Sequence, residues 1–294
     1  MYQQESFSSA FWRGFNRIPV VIRVVIGISV VLFLFQALFG RIQIGGLSLN
    51  YYIVEYLGFD PSFKTAITQP WRFVTYIFLH GSGFHLLFNM LWLWWMGRLV
   101  EEQIGPRSFA VLFFGSGIGG AIFHIALSFL YGTSHVIGAS GAVFGVMVAF
   151  AYLFPRIPIM LIFLPPIEAR YVVAGLIAFD VLLLGSGDNI ARLVHLGGAF
   201  TGYQLIKAYA RGKDLSGIIR PFENMWRSRS KPAGKAEVRR KPRNRKMHSV
   251  TDVEVIDEIS RDELDLILEK ISKHGYDGLT KEEKRKLFEL SKKD

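Results

Sequence analysis

The chain has 294 residues, 51% of them hydrophobic and 20% charged, with a formal net charge of +10 and no cysteine. The missing cysteines exclude a disulfide framework, a thiolate metal site and a cysteine nucleophile. The charge is unevenly placed: residues 1–210 hold 12 Lys/Arg against 8 Asp/Glu, residues 211–246 hold 13 against 3, and residues 247–294 hold 9 against 13. An oily body followed by a wet, charged tail excludes a pair of ordinary soluble domains.

A bilayer core is about 30 Å thick, so a spanning helix needs roughly 20 mainly apolar residues. Runs close to that kind are Val20–Phe39, Phe84–Val100, Phe109–Tyr131, Ala139–Phe154, Tyr171–Leu184 and Asn189–Ala210, the fourth and fifth being short. They predict an all-α polytopic membrane protein: a cytoplasmic N-terminus over 1–18 and a six-span domain over 19–210. The first run lacks a small-residue cleavage site at its end, which predicts a span and not a cleaved signal peptide. Ile157–Pro166 is apolar but too short to cross, and Pro158, Pro165 and Pro166 break it, so an interfacial stretch is expected there.

Arg13, Arg17 and Arg23 precede or open the first run, which by the positive-inside bias places the N-terminus in the cytoplasm. Six crossings return the C-terminus to the same side. The short loops expected there carry Arg98, Arg107, Arg156 and Arg170, whereas the outer loop Gly132–Gly138 has no Lys or Arg.

The tail divides in two. Residues 211–250 are rich in Arg, Lys and Pro and predict a disordered linker. Beside a membrane its expected partner is anionic lipid and not nucleic acid, each basic residue near the surface contributing about 1 kcal/mol. Ile259–Ser272 and Lys281–Leu290 have helical apolar spacing around the turn-forming stretch His274–Gly278. Thr280 with Glu283 three residues on makes a capping box. A small soluble helical hairpin over 251–294 follows, and the sequence does not name its partner.

Polar side chains inside a span are costly and mark function by default. His85 and Asn89 stand at i and i+4 on one face of the second run. Ser140 opens the fourth, in GASGAVFG, and His195 lies near the start of the sixth, in HLGGAFTGY. In this topology all four lie toward the outer surface. Helix rise puts Ser140 about 22 Å from the inner end of its span, hence roughly 8 Å below the outer surface, and His195 about 9 Å down. Gly141 and Gly145 on the fourth run, and Gly198 and Gly202 on the sixth, share the spacing that lets helix backbones approach closely. Such packing would bring the Ser140 hydroxyl to His195, as a serine nucleophile with a histidine base requires. Unpaired N–H groups at the start of the fourth helix, with His85 and Asn89, would face a developing oxyanion. Asp180, in the fifth run, is expected to be structural.

PWRFVTYIFLHGSGFHLLFNMLWLWWMG, GASGAVFG and HLGGAFTGY, in this order over Pro70–Tyr203, resemble the rhomboid family of intramembrane serine proteases. The resemblance implies a six-transmembrane-helix rhomboid-like bundle in a bacterial inner membrane. It also implies a hydrolase that cuts single-pass membrane proteins near the outer face, without metal or cofactor. The implied roles are Ser140 as nucleophile and His195 as general base, then acid, with no third acidic member. His85 and Asn89 match the oxyanion-stabilising pair, Trp71-Arg72 a structural motif of the first outer loop, and Gly138, Gly141, Gly145, Gly198 and Gly202 the glycines of the packing motifs. Substrate entry is expected past the fifth span and the loop Gly185–Asp188. The chain departs from the family at Val194 and Ile190, where Ala and Gly are common.

Rival chemistries fit less well. No HExxH occurs, and His80 and His85 have no adjacent carboxylate, against a zinc protease. Gly185–Asp188 reads GxGD but lies in an outer loop eight residues from Asp180, against an aspartyl type. A transporter would want an internal repeat. The remaining alternative is a catalytically inactive, client-binding rhomboid relative; those typically lack the serine or the histidine, and both are present here.

Overall fold

The computed structural model describes residues 14–131, 135–160, 165–184, 189–220, 266–267, 269–271, 279–280 and 282–283. The helices are α1 (Val20–Phe39), α2 (Leu49–Leu57), α3 (Phe63–Thr68), α4 (Arg72–Thr75), α5 (Gly83–Ile104), α6 (Pro106–Tyr131), α7 (Ser140–Leu153), α8 (Ala169–Leu182) and α9 (Asn189–Ala210). Each of the six apolar runs overlaps one helix: α1, α5, α6, α7, α8 and α9, of which α7 and α8 have only 14 residues. By length and hydropathy, among the described residues, α1 and most of α6 are each sufficient to cross a bilayer, while α7 is apolar but shorter. Together they make a membrane helical bundle.

α7 is the centre. Gly141, Ala142, Val143, Gly145, Val146, Met147, Ala149 and Phe150 are all buried, and the stripe Ser140, Phe144, Val148 and Tyr152 is less covered. α5, α6 and α9 flank it, and α8 sits at the edge against α7 and α9. Large apolar side chains such as Leu38, Phe129 and Leu182 are exposed on the outside of the bundle, as a surface solvated by lipid requires. α1 is fastened by a buried carboxylate of α5. The Val21 N–H donates to Glu101 Oε1 at 2.9 Å and the Ile22 N–H to Oε2 at 3.1 Å, which occupies two of the four N–H groups a helix start leaves open.

Three segments differ from the sequence expectation or add to it. Between α1 and α5 lie a small antiparallel pair, β1 (Gln43–Ile44) with β2 (Leu47–Ser48), then α2, α3, α4 and a 3-10 turn over Tyr76–Phe78. These pieces are too short for a periodic signal, but their starts are legible: Ser48 accepts from the Tyr51 N–H and Ser62 from the Thr65 N–H. Within Ile157–Pro166, β3 (Pro158–Ile159) pairs antiparallel with β4 (Ile167–Glu168) just beyond it; residues 161–164 lie outside the described set. Within the stretch 211–250 expected to be a linker, Leu215–Ile218 forms a 3-10 turn. Asp214 caps it by accepting from the Ser216 N–H and hydroxyl, at 2.9 and 2.6 Å, and Leu215 is buried. Residues 221–265 are outside the described set.

The chain divides into two compact units, residues 1–232 and 233–294. In the second, described residues within 266–271 and at 282–283 are helical. The capping box is formed: the Thr280 N–H donates to Glu283 Oε2 at 2.8 Å and the Glu283 N–H to Thr280 Oγ1 at 3.3 Å. Lys270, bonded to Glu283 at 2.8 Å, and then Thr280 hold the Glu283 carboxyl down at about 2.

Candidate active site

The loop that delivers Ser140 is set from a distance. The Trp71 indole N–H donates to the Tyr56 carbonyl at 3.1 Å, Arg72 Nη1 to the Gly58 carbonyl at 3.2 Å and the Thr75 hydroxyl to the Leu57 carbonyl at 2.7 Å. The backbone of 56–58 is thereby pinned, and the next residue, Phe59, exchanges two bonds with Val136, at 2.9 and 2.8 Å. The Gly138 N–H then donates to the Tyr76 carbonyl at 3.0 Å, and the Tyr76 hydroxyl to the Gly117 carbonyl at 2.8 Å. Gly138 has φ +125°, and a Cβ there would sit 2.7 Å from the His85 ring. Only glycine satisfies both demands.

Ser140 is the first residue of α7, half-buried. The first helical bond there runs from the Val143 N–H to the Ala139 carbonyl at 2.9 Å, so the N–H groups of Ser140, Gly141 and Ala142 precede the ladder. α7 and α9 meet at their glycines: a Cβ on Gly198 would strike the Gly141 carbonyl, and one on Gly202 would strike the Gly145 backbone. Val194, the bulkier residue noted above, is accommodated by glycines on two sides, its Cγ1 standing 3.0 Å and 2.7 Å from where Cβ atoms of Gly120 and Gly141 would be.

A cavity of about 580 Å³ opens between α5, α7, α8, α9 and the loop before α7, and His85, Asn89, Ser140 and His195 all line it. Ser82 caps α5 by accepting from the His85 N–H at 3.2 Å, and Asn89 Nδ2 donates back to the His85 carbonyl at 2.8 Å. One amide hydrogen of Asn89 is thus used within the helix and one is left for the cavity. His80, outside the spans and 2% exposed, meets the His85 ring edge-on at 5.1 Å. Its burial, with the neighbouring His85 second, pushes its imidazole down to about 4.

His195 is held on two sides. Its ring stacks on Phe144 with centroids 4.4 Å apart and planes 8° apart. Phe144 stands one turn beyond Ser140, on the same helix face, so the imidazole lies over the face that carries the serine. Its Nδ1 is 2.9 Å from Asp180 Oδ2, and the two side chains are 18% and 12% exposed. Asp180 thus stands against the histidine, a placement that the sequence left at a structural role. The signal was its depth, near the outer end of the fifth run as His195 is in the sixth. Phe144 gave no signal beyond its spacing from Ser140. Among the described residues no three metal-ligating side chains gather.

Residues 68–212 match the model of the rhomboid domain. The chain belongs to the rhomboid family. It is 31% identical over 191 residues to Rhomboid protease GluP of Bacillus subtilis, covering 62% of this chain and 36% of that protein. It is 35% identical over 147 residues to Rhomboid protein 1, mitochondrial, of Saccharomyces cerevisiae (47% and 42%), and 34% identical over 136 residues to Rhomboid protease GlpG of Yersinia pestis (46% of each). The chain therefore spans between about a third and a half of the length of these relatives. As a rhomboid it is an integral membrane protein. Residues 258–293 match a family of unknown function, DUF6576.

Proposed function

We propose that this rhomboid is an intramembrane serine endopeptidase that cuts single-pass membrane proteins near the outer membrane face. The observation that carries the reading is one cavity lined by both Ser140 and His195, with the histidine ring over the serine's helix face. Two of the relatives are named as proteases, which supports it. Ser140 Oγ attacks the scissile carbonyl carbon while its proton passes to His195 Nε2. The oxyanion is met by N–H groups at the start of α7 and by the side chains of His85 and Asn89. Collapse of the tetrahedral intermediate breaks the C–N bond, and the imidazolium protonates the leaving amine. Water then adds to the acyl-enzyme, its proton going to His195 and from there to Ser140 as the ester bond breaks. The reading needs no metal or cofactor. The same reading puts the protein in a bacterial inner membrane with both termini cytoplasmic, as the positive-inside pattern of its basic residues suggests.

The test is cleavage of a single-span reporter by the purified chain. Wild type is expected to make one cut near the outer end of the reporter helix. Ser140→Ala and His195→Ala should each lose at least about 10³-fold in rate. Undiminished cleavage by Ser140→Ala would remove the nucleophile assignment. Binding of reporters without cleavage by wild type and mutant alike would favour a client-binding protein.

A further inference from the structure

α8 is an apolar helix, ARYVVAGLIAFDVL, whose outer half carries one buried acid, Asp180. A carboxylate among apolar side chains is costly unless it meets a partner, and here the partner is His195 Nδ1 at 2.9 Å. An ionised carboxylate only accepts hydrogen bonds, so a neutral imidazole bonded to it carries its proton on Nδ1. Its lone pair is then on Nε2. The Phe144 ring, parallel to the imidazole at 4.4 Å, fixes the remaining freedom, the tilt of the ring about that bond.

We propose that Asp180 is a positioning residue for the base, a departure in this chain from the two-membered Ser140–His195 arrangement that the family resemblance implies. Its Oδ2 accepts the Nδ1–H of His195, selects the tautomer whose Nε2 takes the Ser140 proton, and faces the imidazolium once that proton has moved. The proposal rests on the serine–histidine reading above and extends it. A contact that merely tied α8 to α9 would tolerate any hydrogen-bonding side chain. Tautomer selection requires an obligate acceptor. Asparagine separates the two, because its amide can bond the ring through oxygen or through nitrogen and so dictates neither tautomer.

The experiment uses the full chain in proteoliposomes with a single-span reporter. Asp180→Asn is expected to lower kcat by about 10²-fold or more with KM within about threefold of wild type. Asp180→Glu, which keeps the carboxylate, should recover at least about a tenth of the wild-type rate. A kcat for Asp180→Asn within about threefold of wild type, or a change confined to KM, overturns the proposal. Should that variant fail to fold, the wild-type protein decides. In a nitrogen-15 histidine spectrum at alkaline pH, the His195 signals, assigned by their loss in His195→Ala, must show a protonated Nδ1 and a bare Nε2. The reverse pattern overturns the proposal. Ser140→Ala is assayed alongside: cleavage at the wild-type rate would sink the nucleophile reading, while the spectrum still decides the pairing.

Discussion

His80 is the residue whose environment most constrains its chemistry. Its Nδ1 bonds the Phe78 carbonyl at 3.2 Å, its Nε2 has no hydrogen-bond partner among the described residues, and the ring is 2% exposed. A carbonyl only accepts, so Nδ1 carries a proton in either charge state, and it is burial that leaves Nε2 bare and the ring neutral. With a folded value near 4 against an ordinary 6.5, the native state resists protonation. The stability this gives is fully present above pH 6.5 and is lost as pH falls toward 4, at most roughly 3 kcal/mol. The thermal midpoint of wild type should therefore fall between those values, and His80→Gln should flatten the fall; an unchanged slope in the variant would show that His80 does not carry it. At this scale the sequence was legible where a residue type is rare in its setting. Histidine, asparagine and a glycine-flanked serine in apolar runs single themselves out. Phe144 and His80 do not, because an aromatic in a span and a histidine in a loop are ordinary, and only the folded neighbours give them work.

Among elements, the packing of α9 on α7 leaves least room. Gly198→Ala would drive a methyl into the Gly141 carbonyl, and α7 has little room to retreat because α5 and α6 pack on it as well. A loss of about 1–3 kcal/mol is expected, seen as a lower thermal midpoint. Gly175 in α8 has nothing within 4 Å of where its Cβ would be, so Gly175→Ala should be neutral or raise stability by up to about 1 kcal/mol. Equal effects of the two changes would contradict this helix packing. The long helices could be read from hydropathy because lipid demands apolar runs with internal hydrogen bonding. The pieces between α1 and α5 could not. Their order depends on Trp71, Arg72 and Thr75 bonding carbonyls 14 to 18 residues earlier, and such pairings leave no local pattern.

For the whole molecule, orientation is the open quantity, and the absence of cysteine makes it directly measurable. In intact cells a membrane-impermeant maleimide should label Thr133→Cys. Ser249→Cys should react only after permeabilisation. Labelling of Ser249→Cys from outside would invert the topology. The positive-inside pattern was legible because it is a property of composition; the exit of α9 into an ordered turn at Leu215 was not, since one buried leucine and one capping aspartate lie within a run that reads as solvated.

α8 has 14 residues, a rod of about 21 Å beside a hydrocarbon layer about 30 Å thick. It stands at the edge of the bundle, with Tyr171, Phe179 and Leu182 on its exposed surface. Hydrophobic mismatch of this size is relieved by pinching the adjacent bilayer, at a fraction of a kcal/mol per ångström. A full-length helix drifting to that flank would meet a membrane too thin for it and would have to tilt or push one end into water. On the proposed reading, the short wall of the bundle would begin to strip a neighbouring helix of its lipid before any side chain of the cavity touched it.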